Sequence, residues 1–464
     1  MQEVSIGERE GGLQRSLSKA QMVMIGLGGA IGTGLFLGSG LAIGYAGPAV
    51  ILSFVIAGFV ALVMVFSLAE MAVVHPTAGS FGTYAEIYLN PWAGFVVRYT
   101  YWIAQVIAIG GEAVAAGLYM QYWYPGSPAW LWSLGFCAVL LYLNSRSVHN
   151  FGTVESWFAL IKVAAIVLFI ILGTATILGI GRPGVGFHNL TGLPGGFAPH
   201  GFWGLWQAVV VGVFAFNGIE VIAVTSGEAR NPRVAIPAAL RTMVVRLFLF
   251  YVLSIAIIVI VIPWTATGVK VVAQSPFVSV FQHSGIRQAA GIMNFVVLSA
   301  ALSSMNTNVY LCSRMLFSLS RGEYAPRLLG RLSGKGVPLA AILVSGVGIV
   351  LAAAVSIFTP NAYGYLFGVA LFAAMLVWMI ILISHLAFRR RHAAGELPVR
   401  MPFFPWLQYA GLALIIGVQV TMGFDDSLYV SWVYGVPWLL GVSAAYLLWR
   451  ARRRATLAPT VPSS

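Results

Sequence analysis

Charge is scarce in this chain of 464 residues: Asp and Glu number 13, Lys and Arg 26, and together they make up 8%. A soluble domain carries about 25%, so a water-facing globule is excluded as a reading of the whole chain. Cysteine is scarcer still. Cys137 and Cys312 both fall inside apolar runs and form neither a disulfide framework nor a metal-ligand spacing. The 7 histidines are scattered around loops and helix ends without ligand spacing. No Lys–Ser/Thr pair follows the glycine-rich run near the start, which excludes a phosphate-binding loop. No cluster of convergent catalytic groups is present, so an enzyme is not expected. Nor is a cleavable leader, because the first twenty residues are polar and the first apolar run is too long and too rich in glycine.

What is abundant is apolar sequence, at 59% of residues and a mean hydropathy of +0.89. The apolar runs divide into twelve expected spans, each near the ~20 residues a bilayer demands: 20–44, 48–73, 93–122, 128–144, 153–179, 203–227, 242–263, 288–320, 338–358, 362–388, 404–423 and 429–449. The net charge of +13 follows from orientation rather than from nucleic acid. With the N-terminus inside, 22 of the 26 Lys and Arg lie in or beside cytoplasmic segments. Only Arg182, Lys270 and Arg287 lie outside, and Lys162 lies within a span. That bias places both termini in the cytoplasm of an inner-membrane protein. The expected division is a cytoplasmic tail over 1–19, a core over 20–388, peripheral helices over 404–449 and a basic tail over 450–464.

Two spans are interrupted. Residues 26–40, GLGGAIGTGLFLGSG, hold 7 glycines in 15 residues. Phe214–Ala215–Phe216–Asn217–Gly218–Ile219–Glu220 puts Asn, Gly and Glu inside span six. Glycine invites unwinding, and unwound backbone is tolerated in a membrane only where it is buried in protein or lines a polar cavity. Interruptions at corresponding positions of two halves point to an inverted repeat with a central site. The half-helix beginning near Thr33 and Gly34 offers N–H groups to a carboxylate. Carbonyls freed near Ile25–Gly29 and Phe214–Asn217 suit an ammonium. Together they describe the main chain of an α-amino acid.

These residues carry a resemblance. GGAIGTGLFLGSG, LAEMAVVHPTAGSFGTYAE (68–86), WFALIKV (157–163), FAFNGIEVIAVTSGEARNP (214–232) and IMNFVVLSAAL (292–302) resemble the amino acid permeases of the amino acid–polyamine–organocation superfamily. The resemblance runs from about residue 15 to the end of span ten and is weaker beyond. It implies an all-α leucine-transporter-type fold, with twelve spans arranged as two inverted repeats of five plus two peripheral helices. It also implies secondary active amino acid uptake, often driven by protons. Carried over by position, the carboxylate-binding backbone is Ile31, Gly32, Thr33 and Gly34. The ammonium-binding carbonyls are those near Gly28 and at Phe214, Ala215 and Asn217, with Phe214 as the outer gate. Asn217 is also placed to reach the substrate's side chain.

Charges inside the membrane have two readings each. Lys162 lies nine residues into span five, ~14 Å along a helix rising 1.5 Å per residue. A lone lysine there costs about 3 kcal/mol on insertion scales. It is either a proton-coupling site whose ammonium replaces Na⁺ and bonds to span-one carbonyls near Gly26, or a permanently charged pin between spans five and one. Ser303 and Ser304 would be the ligands of a sodium-coupled alternative. Glu112 is either a pocket or proton-relay carboxylate or a structural partner. Glu220, just after the break in span six, is expected to organise that break through hydrogen bonds. Glu70, Glu155 and Glu228 are expected to pair with Arg98, Arg146 and Arg230 as inner-gate or topology ion pairs.

The function expected is therefore alternating-access transport of a neutral L-amino acid, with proton coupling, no cofactor beyond the proton gradient, and the lipid bilayer as its surroundings. Span ten is expected to offer Tyr365, Phe372 and Met375 to the substrate. Exchange and sodium symport are the alternatives, and a membrane amino acid sensor is the rival from another class. Nothing in the chain specifies an oligomeric state.

Overall fold

Polar residues just ahead of apolar runs start the helices. Ser18 caps α1 (Lys19–Ala30) by accepting from the Gln21 N–H at 3.3 Å, while Gln21 Oε1 accepts from the Ser18 N–H at 3.0 Å. This reciprocal pair satisfies two of the donors a helix start leaves free. Asn90 and Pro91 open α5 (Pro91–Met120) in the same way, with Asn90 Oδ1 accepting from the Ala93 N–H at 2.9 Å. Ser147 opens α7 (Val148–Leu178) by accepting from the Asn150 N–H at 3.1 Å.

The computed structural model describes residues 8–32, 34–180, 184–267, 275–283, 287–359, 362–393, 395, 397–425 and 428–457. Thr33, Arg182 and Lys270 lie outside them, as does the side chain of Tyr365. The described residues are helical apart from connecting segments and one isolated bridge between Leu17 and Ala229. After α1 come a π-helical turn (Gly34–Gly38), α2 (Ser39–Ala46), α3 (Val50–Val74) and the short α4 (Ser80–Tyr88). Then follow α5, α6 (Ala129–Arg146), α7, α8 (Gly201–Ala215), α9 (Val221–Thr225) and α10 (Pro232–Val261). The rest is α11 (Pro276–His283), α12 (Arg287–Arg321), α13 (Leu339–Phe358), α14 (Ala362–Arg389), α15 (Trp406–Met422) and α16 (Val430–Leu457). Among the described residues, 7 helical stretches are long and apolar enough to cross a bilayer, and three shorter apolar helices accompany them.

Some boundaries differ from expectation. α16 continues through Arg450–Arg454 to Leu457, so the basic cluster is helical rather than a separate tail. Arginine is a good helix former, and Arg453 pairs with Glu323 at 2.6 Å. α7 begins at Val148, which puts Lys162 near the middle of a helix of 31 residues, deeper than expected.

α12 is the axis of the bundle. It is almost wholly buried and packs most extensively against α5. α1 lies on α7, α10 and α12. α7 and α13 turn large apolar side chains outward, among them Leu168, Ile171, Leu343, Val347 and Leu351. Contiguous exposed apolar surface of this kind fits a lipid solvent.

The two interruptions are real and they touch. α1 stops where Ile31 turns extended and its N–H donates back to Leu27 O at 3.3 Å. Between α8 and α9, Phe216–Glu220 leave the helix. A Cβ on Gly34 would stand 2.8 Å from Ala215 Cα, so only glycine lets the two breaks approach. Gly218 has a φ of +99°, and a Cβ there would run into the Gly29 carbonyl.

Gly218→Ala should therefore destabilise the bundle by about 1–3 kcal/mol, the usual cost of a strained backbone residue. Gly135 in α6 has nothing within 4 Å of its would-be Cβ, so Gly135→Ala should be neutral or slightly stabilising. Thermal unfolding of the two purified variants in detergent checks the contrast.

Candidate functional site

The breaks face a small cavity between four parts of the chain. α1 and its break contribute Ala30, Gly32 and Gly34, α5 contributes Ala108 and Glu112, and α12 contributes Ser304 and Asn308. The end of α8 supplies Phe214 and Ala215, and the break after it Asn217 and Gly218. Its volume is about 30 Å³, room for roughly one water. A larger cavity of about 600 Å³ lies among α5, α13, α14 and α16. Its lining is almost wholly apolar, Phe372 included, so it offers no chemistry for a polar solute.

The expected residues divide accordingly. Gly32, Gly34, Glu112, Phe214, Ala215 and Asn217 meet at the cavity. A Cβ on Gly32 would lie 3.1 Å from Ser304 Oγ and 3.4 Å from Glu112 Oε1, which shows how closely bare backbone passes these groups. The amide oxygen of Asn217 is buried with no donor among the described residues. Gly28 and Ile31 face elsewhere, and the Ile31 N–H already serves as the cap of α1. Of the span-ten candidates, Phe372 lines the apolar cavity and Met375 is core; neither borders the small one.

Lys162 is fully buried. Its Nζ donates to Gly28 O, to Ile31 O at 2.9 Å and to Ser303 Oγ at 2.8 Å. The ammonium thus ties α7 to the last turn of α1 and to α12. Ser303 in turn donates to Glu155 Oε1, and Asn306 Nδ2 donates to Glu155 Oε2 at 3.0 Å. Glu155 therefore does not form the expected pair with Arg146, whose guanidinium instead bonds to Tyr142. The reason is register. Glu155 lies seven residues before Lys162, two helical turns away on the same inward face of α7.

Other carbonyls freed by the breaks have partners that pattern reading missed. Tyr251 of α10 is fully buried, and its hydroxyl lies 2.7 Å from Ala30 O and 2.9 Å from Ala215 O, reaching one carbonyl from each break. Its ring stacks on Phe216 at 4.4 Å. Ser275 Oγ donates to Phe36 O at 2.7 Å. Glu220 Oε2 accepts from the Gly218 N–H at 3.0 Å, and Glu220 Oε1 accepts from Tyr101 Oη at 3.0 Å. A buried tyrosine hydroxyl must find a partner, but only the fold names it. Asn308 had a fainter signal, four residues beyond Ser304 on one helix face.

Comparison with known proteins supplies the family. The amino acid permease family model matches residues 21–459. The chain belongs to the amino acid permease family. It is 40% identical to a γ-aminobutyric acid permease of Bacillus subtilis over 91% of each chain. It is 36% identical to a probable threonine/serine transporter of the same organism, over 95% of this chain and 96% of the relative. An aromatic amino acid transport protein of Escherichia coli is 38% identical, over 94% and 95%. These are transporters rather than enzymes, and the permease is a multi-pass membrane protein.

Buried charge gathers on the permease where the N-terminal segment meets α4 and α5. Glu86 on α4 accepts from Arg98 Nη1 at 2.9 Å, from Tyr324 Oη at 2.9 Å and from Arg9. Glu10 accepts from the Gly79 N–H at 2.6 Å and from Thr83 Oγ1 at 3.0 Å, and lies 3.5 Å from Arg98. Leu17 pairs with the backbone at Glu228 and Arg230. The remaining expected pairs have other partners. Glu228 meets Arg314 at 2.8 Å, and Glu70 meets Arg389 at 2.9 Å and His385 at 2.7 Å. Burial alone would raise the Glu86 carboxyl, but Arg98 and Arg9 hold it below the usual carboxylate range. The stability this contributes is present above the ordinary carboxylate pKa and is lost as pH falls through the lowered value.

Tyr251→Phe should lower stability by about 1–3 kcal/mol, because two buried carbonyls lose their shared donor. Tyr251→Leu should cost more, since the stack on Phe216 goes as well. Melting curves of both variants test this, and a wild-type curve for Tyr251→Phe would mean the carbonyls find other donors.

Proposed function

We propose that the protein is a secondary active transporter that carries a neutral L-amino acid into the cell together with a proton, by alternating access. One observation carries the coupling: a fully buried lysine whose Nζ contacts three oxygens, two of them carbonyls of the interrupted helix. Charged, Lys162 holds the end of α1 against α7 and α12. Neutral, it holds that end less firmly, since hydrogen bonds from an ionised donor are about twice as strong. Protonation at Lys162 thereby biases the helix that lines the cavity. An ammonium already placed against Ser303 also disfavours a sodium ion there by charge repulsion.

The cavity supports the substrate class. It combines bare backbone at Gly32 and Gly34 with small side chains and the unpartnered Asn217 oxygen. The relatives' names speak of γ-aminobutyrate, threonine, serine and aromatic amino acids. All of these share an ammonium and a carboxylate. A volume of about 30 Å³ is too small for any of them, so loading requires Phe214 and the surrounding breaks to part.

The finer architecture follows in the same reading: twelve spans, two inverted repeats of five helices, and α15 and α16 at the periphery. Contact between the interruptions of the first and sixth spans supports it. The charged end faces the cytoplasm of the inner membrane. Most of the basic residues favour that side, and the segments around Arg9 and Trp449 meet there, with Arg9 and Tyr324 both bonded to Glu86 and the Trp449 indole bonded to Glu323 O.

Uptake of labelled amino acids into proteoliposomes, under an inward proton gradient without sodium, tests the reading. Accumulation that a protonophore collapses is the expected result. Lys162→Ala should reduce that accumulation at least about tenfold while still exchanging substrate into preloaded vesicles. Full accumulation by Lys162→Ala would sink the coupling assignment, and flux only into preloaded vesicles in the wild type would make the protein an exchanger.

A further inference from the structure

Lys162 needs somewhere to send a proton, and the groups it touches indicate where. Gly28 O and Ile31 O can accept hydrogen bonds but cannot carry a proton onward. Ser303 can do both. Its hydroxyl accepts from Lys162 Nζ at 2.8 Å and donates to Glu155 Oε1. All three side chains are fully buried. Lysine, serine and glutamate thus form an unbroken hydrogen-bonded line from the middle of α7 towards its first turns. Glu155 is steadied on its far side by Asn306, whose Oδ1 accepts from Asn144 Nδ2 at 2.8 Å. A carboxylate so held presents one oxygen to Ser303 and keeps the other occupied.

We propose that Glu155 is the acceptor of the coupling proton, which reaches it from Lys162 through Ser303. The inference rests on the proton-coupled reading above. In the transfer Ser303 Oγ takes a proton from the Lys162 ammonium as its own hydroxyl proton passes to Glu155 Oε1. The net change is an ammonium and a carboxylate becoming an amine and a carboxylic acid, with Ser303 restored. Charge balances before and after, and no co-reactant is required. Two opposite charges in a low-dielectric core are replaced by two neutral groups, which removes their cost of desolvation. The transfer also weakens the hold of Lys162 on Gly28 and Ile31, so it is tied to movement of α1.

Direction follows from the helix. Glu155 lies seven residues nearer than Lys162 to the start of α7, or ~10 Å at 1.5 Å per residue. The next turn carries Gly152, where a Cβ would stand 2.9 Å from Leu17 Cδ2 and 3.0 Å from Gln21 Nε2. The segment at the charged end of the bundle therefore covers the way out from Glu155. Loosening of Leu17 from its bridge with Ala229 would open that carboxyl to water on the same side as the substrate's exit. Glu112 is the competing acceptor, since it borders the cavity beside Gly32 and Ser304. It lies on α5 at the substrate cavity, however, whereas Glu155 is bonded directly to the serine that Lys162 holds.

The test uses the full-length protein in proteoliposomes. It measures three quantities: accumulation under a proton gradient, exchange into preloaded vesicles, and proton entry per substrate from a trapped pH dye. Glu155→Gln keeps the size of the side chain and its acceptor oxygen. It should lower accumulation and proton entry at least about tenfold, while exchange and the KM for exchange stay within about threefold. Ser303→Ala should uncouple likewise, and Ser303→Thr, which restores a hydroxyl, should recover coupling. If Glu155→Gln does not fold, the Ser303 pair decides alone. Accumulation retained by Glu155→Gln, with Lys162→Ala uncoupled, would overturn the relay and leave the coupling site standing. Parallel loss of exchange and accumulation in Glu155→Gln would overturn it in favour of a structural role. Uncoupling by Glu112→Gln alone would move the acceptor to the cavity. A wild type indifferent to the proton gradient would overturn the relay and the coupling reading together.

Discussion

Backbone groups freed inside an apolar bundle must find partners other than water, and this structure is arranged around meeting that demand. An unsatisfied carbonyl or N–H costs several kcal/mol in such surroundings. Two helices are broken side by side, so the demand is concentrated in one place. Lys162, Tyr251, Ser275 and Glu220 meet it from α7, α10, the segment before α11, and the second break itself. None is interchangeable with an apolar residue, because each answers a particular carbonyl or N–H. The Asn217 amide oxygen, buried without a donor among the described residues, lies at the cavity, where a polar solute can complete it.

α12 links that cavity to the charged end. One side of the helix presents Ser304 and Asn308 to the site, while Ser303 and Asn306 face the buried pair on α7. Further along, Arg314 pairs with Glu228 and its guanidinium covers the Tyr310 ring at 3.9 Å. A spanning helix can hold this many polar groups because it is enclosed by other helices and meets almost no lipid. The charged end reuses the same economy of buried charge. Glu86 serves Arg98, Arg9 and Tyr324 at once, joining α4, α5, the N-terminal segment and the segment after α12. A charge with several buried partners is costly to part, so these four segments are held together as a unit.

Much of this is legible in the sequence. Glycine-rich and Asn-Gly-Glu interruptions in apolar runs point to broken helices because no other use of them is cheap in lipid. A single lysine in the middle of a span stands out for the same reason, and its carbonyl partners lie within a turn or so of where the pattern suggested. Other features were misplaced or unseen. Glu155 looked like a gate residue because Arg146 is close in sequence, yet it turns inward with Lys162. Glu70 and Glu228 looked like partners of nearby arginines and instead meet Arg389 and Arg314 from distant helices. His385 looked incidental and is buried against Glu70.

By itself, then, the sequence determined that this is a multi-pass membrane protein, where two of its helices break, and which charged residues are too costly to be there without a role. These are local properties: hydropathy, glycine content and the price of burying charge act over a turn or two of chain. Tertiary structure alone decided which side chain answers which freed carbonyl. It also decided that Tyr251 reaches both breaks, that Ser303 rather than Ser304 lies between Lys162 and Glu155, and that Asn308 borders the cavity. Those outcomes depend on the rotation and register of helices packed across long separations in the chain, and in a hydrogen bond of about 3 Å one residue of slip is enough to change the partner.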